Sequence, residues 1–121
     1  MAKKKEQKKS HDIGGQLKNI KVLYSTKRLK ESIAYMYMLY TQICAMKWNE
    51  KRQPSQSIRD YAMIMVKKFG QNPANVYPFI QQVESIIYGG KQPSQDVLNQ
   101  TIALFGNVFQ EITGKQLPQL I

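Results

Sequence analysis

Three times along this chain a helix-ending signal is followed within a few residues by a proline-containing helix start. Asn49-Glu50-Lys51-Arg52 gives way to Pro54-Ser55-Gln56-Ser57, Gly70 to a loop at Asn72-Pro73 and a start at Asn75 with Pro78 in its first turn, and Tyr88-Gly89-Gly90 to Pro93-Ser94. Glycine supplies the left-handed residue that closes a helix, whereas proline cannot continue one but fits at or before the first turn of the next. Between these signals apolar residues recur at helical spacing, and no segment alternates with period two over a useful length. The chain is therefore expected to be all-α, a bundle of about four helices with breaks near Arg52–Gln56, Gly70–Asn75 and Gly89–Pro93.

The apolar stripes assign the segments. Residues 1–12 show no periodicity and read as a flexible basic arm. Ile13, Leu17, Ile20 and Tyr24 fall at i, i+4, i+7 and i+11, an amphipathic segment over 13–28 that Ser25-Thr26-Lys27-Arg28 interrupts, either as a short break or as a polar turn of a longer helix. The helical domain spans 29–114. Its first helix carries Leu29, Ile33, Met36, Tyr37, Tyr40, Ile43 and Cys44 and is apolar nearly all round between Ile33 and Met46, which predicts the central, most buried helix. The next runs from Ser57 to about Phe69 with Ile58, Tyr61, Ala62, Met65 and Phe69 on one face. Ser57 and Asp60 stand at capping-box spacing. A third helix is expected from Asn75, with Pro78 in its first turn and a stripe of Val76, Phe79, Ile80, Val83 and Ile87. The last is expected from Ser94 to Gly114, with Val97, Thr101, Ile102, Phe105, Val108, Phe109 and Ile112 inward, leaving 115–121 as a tail.

Charge is unevenly placed. Residues 1–31 hold ten Lys and Arg against three acids, a net of +7, and residues 32–121 hold eight against five, a net of +3, in a chain of +10 overall. A basic segment on a nearly balanced domain points to anionic lipid or nucleic acid. Lys3, Lys4, Lys5, Lys8, Lys9, Lys18 and Lys21 are the candidates for contact with an anionic surface; a solvated tail is the plainer alternative for the first five. The stripe from Ile13 to Tyr24 could lie in a membrane interface, or else dock on the domain's own core. The most apolar run, Ile33 to Met46, has 14 residues, short of the roughly 18–20 that span a bilayer. No apolar stretch of secretory-signal type follows the N-terminal lysines.

Catalytic chemistry finds little to stand on. Covalent acyl transfer through a thiol needs a cysteine nucleophile, a histidine base and a group that orients the base. The chain has one cysteine and one histidine: Cys44 sits mid-helix on an apolar face, and His11 lies in the basic arm. Three or four metal ligands of compatible type are not clustered anywhere, and Gly89-Gly90 follows a helix rather than a strand, so neither a metal nor a phosphate-bearing cofactor is expected. Tyr35, Tyr37, Tyr40 and Trp48, near Lys47, Lys51 and Arg52, could stack nucleic-acid bases, but aromatics on a helix apolar all round read first as core with snorkelling lysines. Arg59 could bind an anionic ligand or pair with a neighbouring acid, the commoner use of an arginine there.

Residues from about Tyr37 to Thr113 resemble the helical domain of unknown function at the C-terminal end of many bacterial and archaeal transglutaminase-like membrane proteins. That family shows a Tyr-containing helix, a Pro-Gly-Glu-Thr-Pro-Arg-Glu-Tyr/Phe-Ala-like start, a Tyr-Gly-Gly turn and a Pro-Ser-type start of a last helix. Pro54, Ser57, Arg59, Asp60, Tyr61 and Ala62 stand at the first motif here, and Tyr88, Gly89, Gly90, Pro93 and Ser94 at the second. Ser57 and Asp60 depart conservatively and keep the cap chemistry; Ile58 replaces a proline often seen at the first helical position. The resemblance implies a non-catalytic interaction or regulatory module, cytoplasmic and membrane-proximal, with the membrane surface or a membrane-bound transglutaminase-like region as partner. It leaves open whether the chain belongs to a longer membrane protein or stands alone. A small basic helical nucleic-acid binder is the alternative; it would need a basic face on a helix of the folded core, whereas the excess charge lies mostly in the arm.

Overall fold

The computed structural model describes the backbone of residues 2–90 and 92–117, and side chains in those ranges from Gly14 onward. The described residues form five helices, α1 (Ala2–Ser25), α2 (Leu29–Trp48), α3 (Ile58–Phe69), α4 (Pro73–Gly89) and α5 (Gln95–Thr113), and no strand. The count exceeds four because the amphipathic segment is itself a helix. α1 begins at Ala2, ahead of the first periodic residue, while the lysines expected to form a basic arm, Lys3, Lys4, Lys5, Lys8 and Lys9, have side chains outside the described part. The polar run after Tyr24 is a break. Lys27 turns left-handed at φ 61°, and the Arg28 N–H donates back to the Leu23 carbonyl at 2.8 Å, which closes α1 and reverses the chain into α2.

The capping chemistry of the core helices is local. The Asp60 N–H donates to Ser57 Oγ at 3.0 Å while the Ser57 N–H donates to Asp60 Oδ2 at 3.2 Å, so the capping box is complete. Ser94 Oγ accepts from the Val97 N–H in the same way at the start of α5. At the other ends Gly70 (φ 75°) and Gly90 (φ 73°) adopt the left-handed conformation that residues with a Cβ occupy only under strain. One start departs from expectation. Asn72 caps α4 by accepting from the Ala74 N–H, and Pro73 is its first residue, so the helix opens two residues before Asn75. Pro78 then lies inside the helix rather than in its first turn, leaving the Ala74 carbonyl without its usual donor. Ala74 and Pro78 are both exposed, so water can take that bond.

Replacing Ser57 with Ala should cost about 1 kcal/mol, since it leaves the N-terminal N–H groups of α3 without their side-chain acceptor. Asp60→Ala should cost less, and the double mutant less than the sum, because both groups serve one box. Urea melts of the three variants check this; additive losses, or an unchanged Ser57→Ala, would mean the box does not hold the helix.

α2 is the hub. It packs against α1, α4 and α5, and α3 packs against α4. Tyr40 on α2 is fully buried, with its ring edge-on to Tyr61 of α3 (6.2 Å between centroids) and Phe79 of α4 (5.9 Å). Phe79 continues to Phe105 of α5 at 5.4 Å, and Phe105 to Phe109 at 5.9 Å. This aromatic chain links the inner faces of α2, α3, α4 and α5. The expected stripes are otherwise close to those observed. Ile86 rather than Ile87 is buried on α4, and on α5 Leu98 takes the place expected for Val97, while Ile102 is only half-buried. Each shift is one residue, about 100° around a helix, because the neighbours sit slightly off the centre of the apolar arc.

Candidate functional site

Both motifs that carry the family resemblance occupy positions that set the fold. Pro54 lies in the exposed turn before α3, and Ser57 and Asp60 form the capping box that follows it. Tyr61 and Ala62 are buried, and the Tyr61 hydroxyl donates to the Glu50 carbonyl at 2.6 Å, fastening the loop between α2 and α3. Arg59 points outward and donates to Glu84 Oε1 of α4 at 2.7 Å. That hydrogen bond, with the Glu84 charge, holds the guanidinium pKa above its ordinary value. Arg59 thus pairs with a neighbouring acid and joins α3 to α4. In the second motif Gly89 ends α4, Gly90 makes the left-handed turn and Ser94 caps α5, with Pro93 half-buried between them. Tyr88 alone projects into solvent, at 69% exposure.

The single thiol is enclosed. Cys44 is fully buried on α2, and the Gln71 side-chain amide donates to its sulfur at 3.2 Å. Gln71 is itself buried and accepts from the Tyr40 hydroxyl at 2.9 Å, so one amide bridges two groups of α2 from the residue after the α3 cap. Burial pushes the Cys44 thiol up to about 12, which keeps it protonated and unreactive near neutrality. The side chain of His11 lies outside the described residues. Among the described residues no group of three His, Cys, Asp or Glu side chains could hold a metal ion, and no helix is long and apolar enough to cross a membrane.

Three of the four aromatic residues weighed for base stacking are packed against other side chains, and the fourth, Tyr35, is half-buried between α1 and α2. Tyr37 and Tyr40 are in the core, and Trp48 stacks on Phe69 at 5.2 Å. Lys47 stands 5.1 Å from the Trp48 ring and donates to the Ile112 carbonyl at 2.9 Å; Lys68 stands over Phe69 and Arg52 over Tyr37. Lys47, Lys67 and Lys68 lie in the last turns of α2 and α3, where cations offset the negative ends of the helix dipoles.

The described part of the amphipathic stripe of α1 is spent on the core, and the side chain of Ile13 lies outside the described residues. Leu17 and Ile20 are buried and Tyr24 is packed against them, so these residues dock inward rather than into a membrane. Lys18 and Lys21 are exposed on the outer side. Sequence reasoning missed what lies beside them. Val22 is 58% exposed and Met38 40% exposed, and together with Leu23, Ala34 and Tyr35 they line an open, mostly apolar groove of about 480 Å³ between α1 and α2. Asn19 and Glu31 complete its walls, and the Asn19 amide donates to the Tyr35 hydroxyl across it at 3.0 Å. A signal for it was present, since Ser32–Met46 holds no charged residue at all. A helix uncharged on every side can remain partly uncovered, and α2 does so at Ala34, Met38 and Met46.

No family model, curated protein or solved structure compared with this chain matches it.

Proposed function

We propose that this domain is a non-catalytic interaction or regulatory module that works at the cytoplasmic face of a membrane, beside a membrane-bound transglutaminase-like region. The reading rests on one observation above all: the residues of both resembling motifs are the caps, turns and helix-to-helix ties of the bundle. Their spacing sets the ends and ties of this bundle and uses no reactive group. The buried, protonated Cys44 supports the non-catalytic part. The net +7 of residues 1–31 supports the membrane-proximal part, because lysines are favoured on the cytoplasmic side and attracted to anionic lipid.

The test is a binding titration of the full chain against vesicles containing phosphatidylserine, against phosphatidylcholine vesicles, and against duplex and single-stranded nucleic acid. Binding to the anionic vesicles should be clear, weak on the neutral ones, and should fall steeply with salt, since exposed charges are screened over about 8–10 Å near physiological ionic strength. Tight nucleic-acid binding at that ionic strength, with no preference for anionic vesicles, would replace this reading with that of a basic helical nucleic-acid binder.

A further inference from the structure

We propose that the outer face of the α1–α2 pair is the surface that meets the membrane, with Val22 and Met38 entering the interface of an anionic bilayer and Lys18, Lys21 and Lys27 meeting its headgroups. The inference rests on the membrane-proximal reading above and names the face that carries it. Interfacial attachment needs exposed apolar side chains and flanking cations on one surface. This face has both. Val22 and Met38 are two of the four large apolar residues left exposed among the described residues, and they line the same groove from facing helices. Lys18 lies one helical turn before Val22, Lys21 is its neighbour, and Lys27 stands in the turn that joins the two helices; all three are exposed. The one acid on the groove, Glu31, lies 3.7 Å from Arg28, which offsets its charge. The sequence before Gly14 adds five lysines against two acids, so the chain on this side of the groove is strongly positive in composition.

Two other occupants fit less well. A second copy of the chain would bring another net +10 against the same basic face. A nucleic acid would meet Val22, Met38 and the carboxylate of Glu31 at the centre of this face, where it needs cations along its backbone.

Because Cys44 is buried, a cysteine introduced at Val22 can be labelled selectively with an environment-sensitive dye in the full chain. The Val22→Cys label should shift to the blue with phosphatidylserine-containing vesicles and not with phosphatidylcholine vesicles, while a label at Ala103→Cys, exposed on α5, should not respond. The Val22→Ser/Met38→Ser double variant should keep its helical circular dichroism and lose about tenfold in vesicle affinity; Lys18→Gln/Lys21→Gln should lose affinity and salt dependence together. If anionic vesicles bind the chain but the Val22 label stays silent and the double serine variant binds as before, another face is used and this proposal falls while the membrane reading survives. If vesicles do not bind at all, both fall.

Discussion

Phe79→Ala should remove on the order of 3–5 kcal/mol of stability, a large part of the roughly 5–15 kcal/mol that a domain of this size has to lose. The side chain is fully buried where α2, α4 and α5 meet, with its ring between Tyr40 at 5.9 Å and Phe105 at 5.4 Å. Truncation removes both aromatic contacts and leaves a void bounded by rings on different helices. None of those rings can fill it without loosening its own contact with Tyr61 or Phe109. The thermal midpoint should fall by roughly 10 °C or more. Phe79→Leu, which keeps most of the volume, should lose well under half as much. Urea melts with an unchanged m-value would measure both; a loss below about 1 kcal/mol for Phe79→Ala would show that the aromatic chain is not what joins the helices.

The second large effect should appear in alkali. Burial raises the pKa of Cys44 from an ordinary 9.0 to about 12 and of Tyr37 from 10.0 to about 12, and raises Tyr40 and Tyr61 further. The unfolded chain releases these protons at the ordinary values, whereas the folded chain retains them. In that window the unfolded state binds fewer protons than the native one, so stability falls as pH rises. The contribution is complete below about pH 9, starts to be lost as Cys44 would ionise in the unfolded chain, and declines more steeply above about pH 10 when the tyrosines join, each group adding up to about 1.4 kcal/mol per pH unit. The domain should therefore unfold cooperatively near about pH 11, with tyrosinate absorbance and loss of helical signal rising together. Cys44→Ala should move the onset of the decline up toward pH 10. A flat stability profile to about pH 11, or tyrosinate forming while the helices persist, would contradict the burial of these hydroxyls.

The sequence carried the ends of the helices better than their surroundings. Ser57 with Asp60, Ser94, Gly70, Gly90 and Gly114 act through bonds and backbone angles within a few residues of themselves, so their meaning is fixed locally. Asn49 also closes its helix left-handed, at φ 56°, but a non-glycine residue gives a weaker signal, and that end was read from the fading apolar stripe. The start of α4 lies two residues before the expected Asn75, because Asn72-Pro73 opens the helix instead of forming a loop, with the fixed φ of proline suited to the first position. Periodicity told which arc of a helix is apolar but not which neighbour covers it. Hence Ile86 and Leu98 replaced Ile87 and Val97, and α2, correctly read as central, still left Met38 and Met46 in water. For the same reason α1 offered two opposite surfaces for a membrane: Leu17 and Ile20 were taken by the core, and Val22 was left.

The arrangement of helices also grades the domain dynamically. α2, α4 and α5 brace one another, but α1 leans chiefly on α2, helped by a hydrogen bond from Gln95 to the Tyr24 hydroxyl. Among its described residues the core anchors are Leu17 and Ile20, with Tyr24 packed against the cluster. Amides of a helix held chiefly by one neighbour are expected to exchange through an opening that leaves the other helices packed, which hydrogen exchange would measure. The helix that carries the most positive charge is thus tied into the bundle chiefly through one neighbour, and a surface that holds α1 would strengthen that single seam.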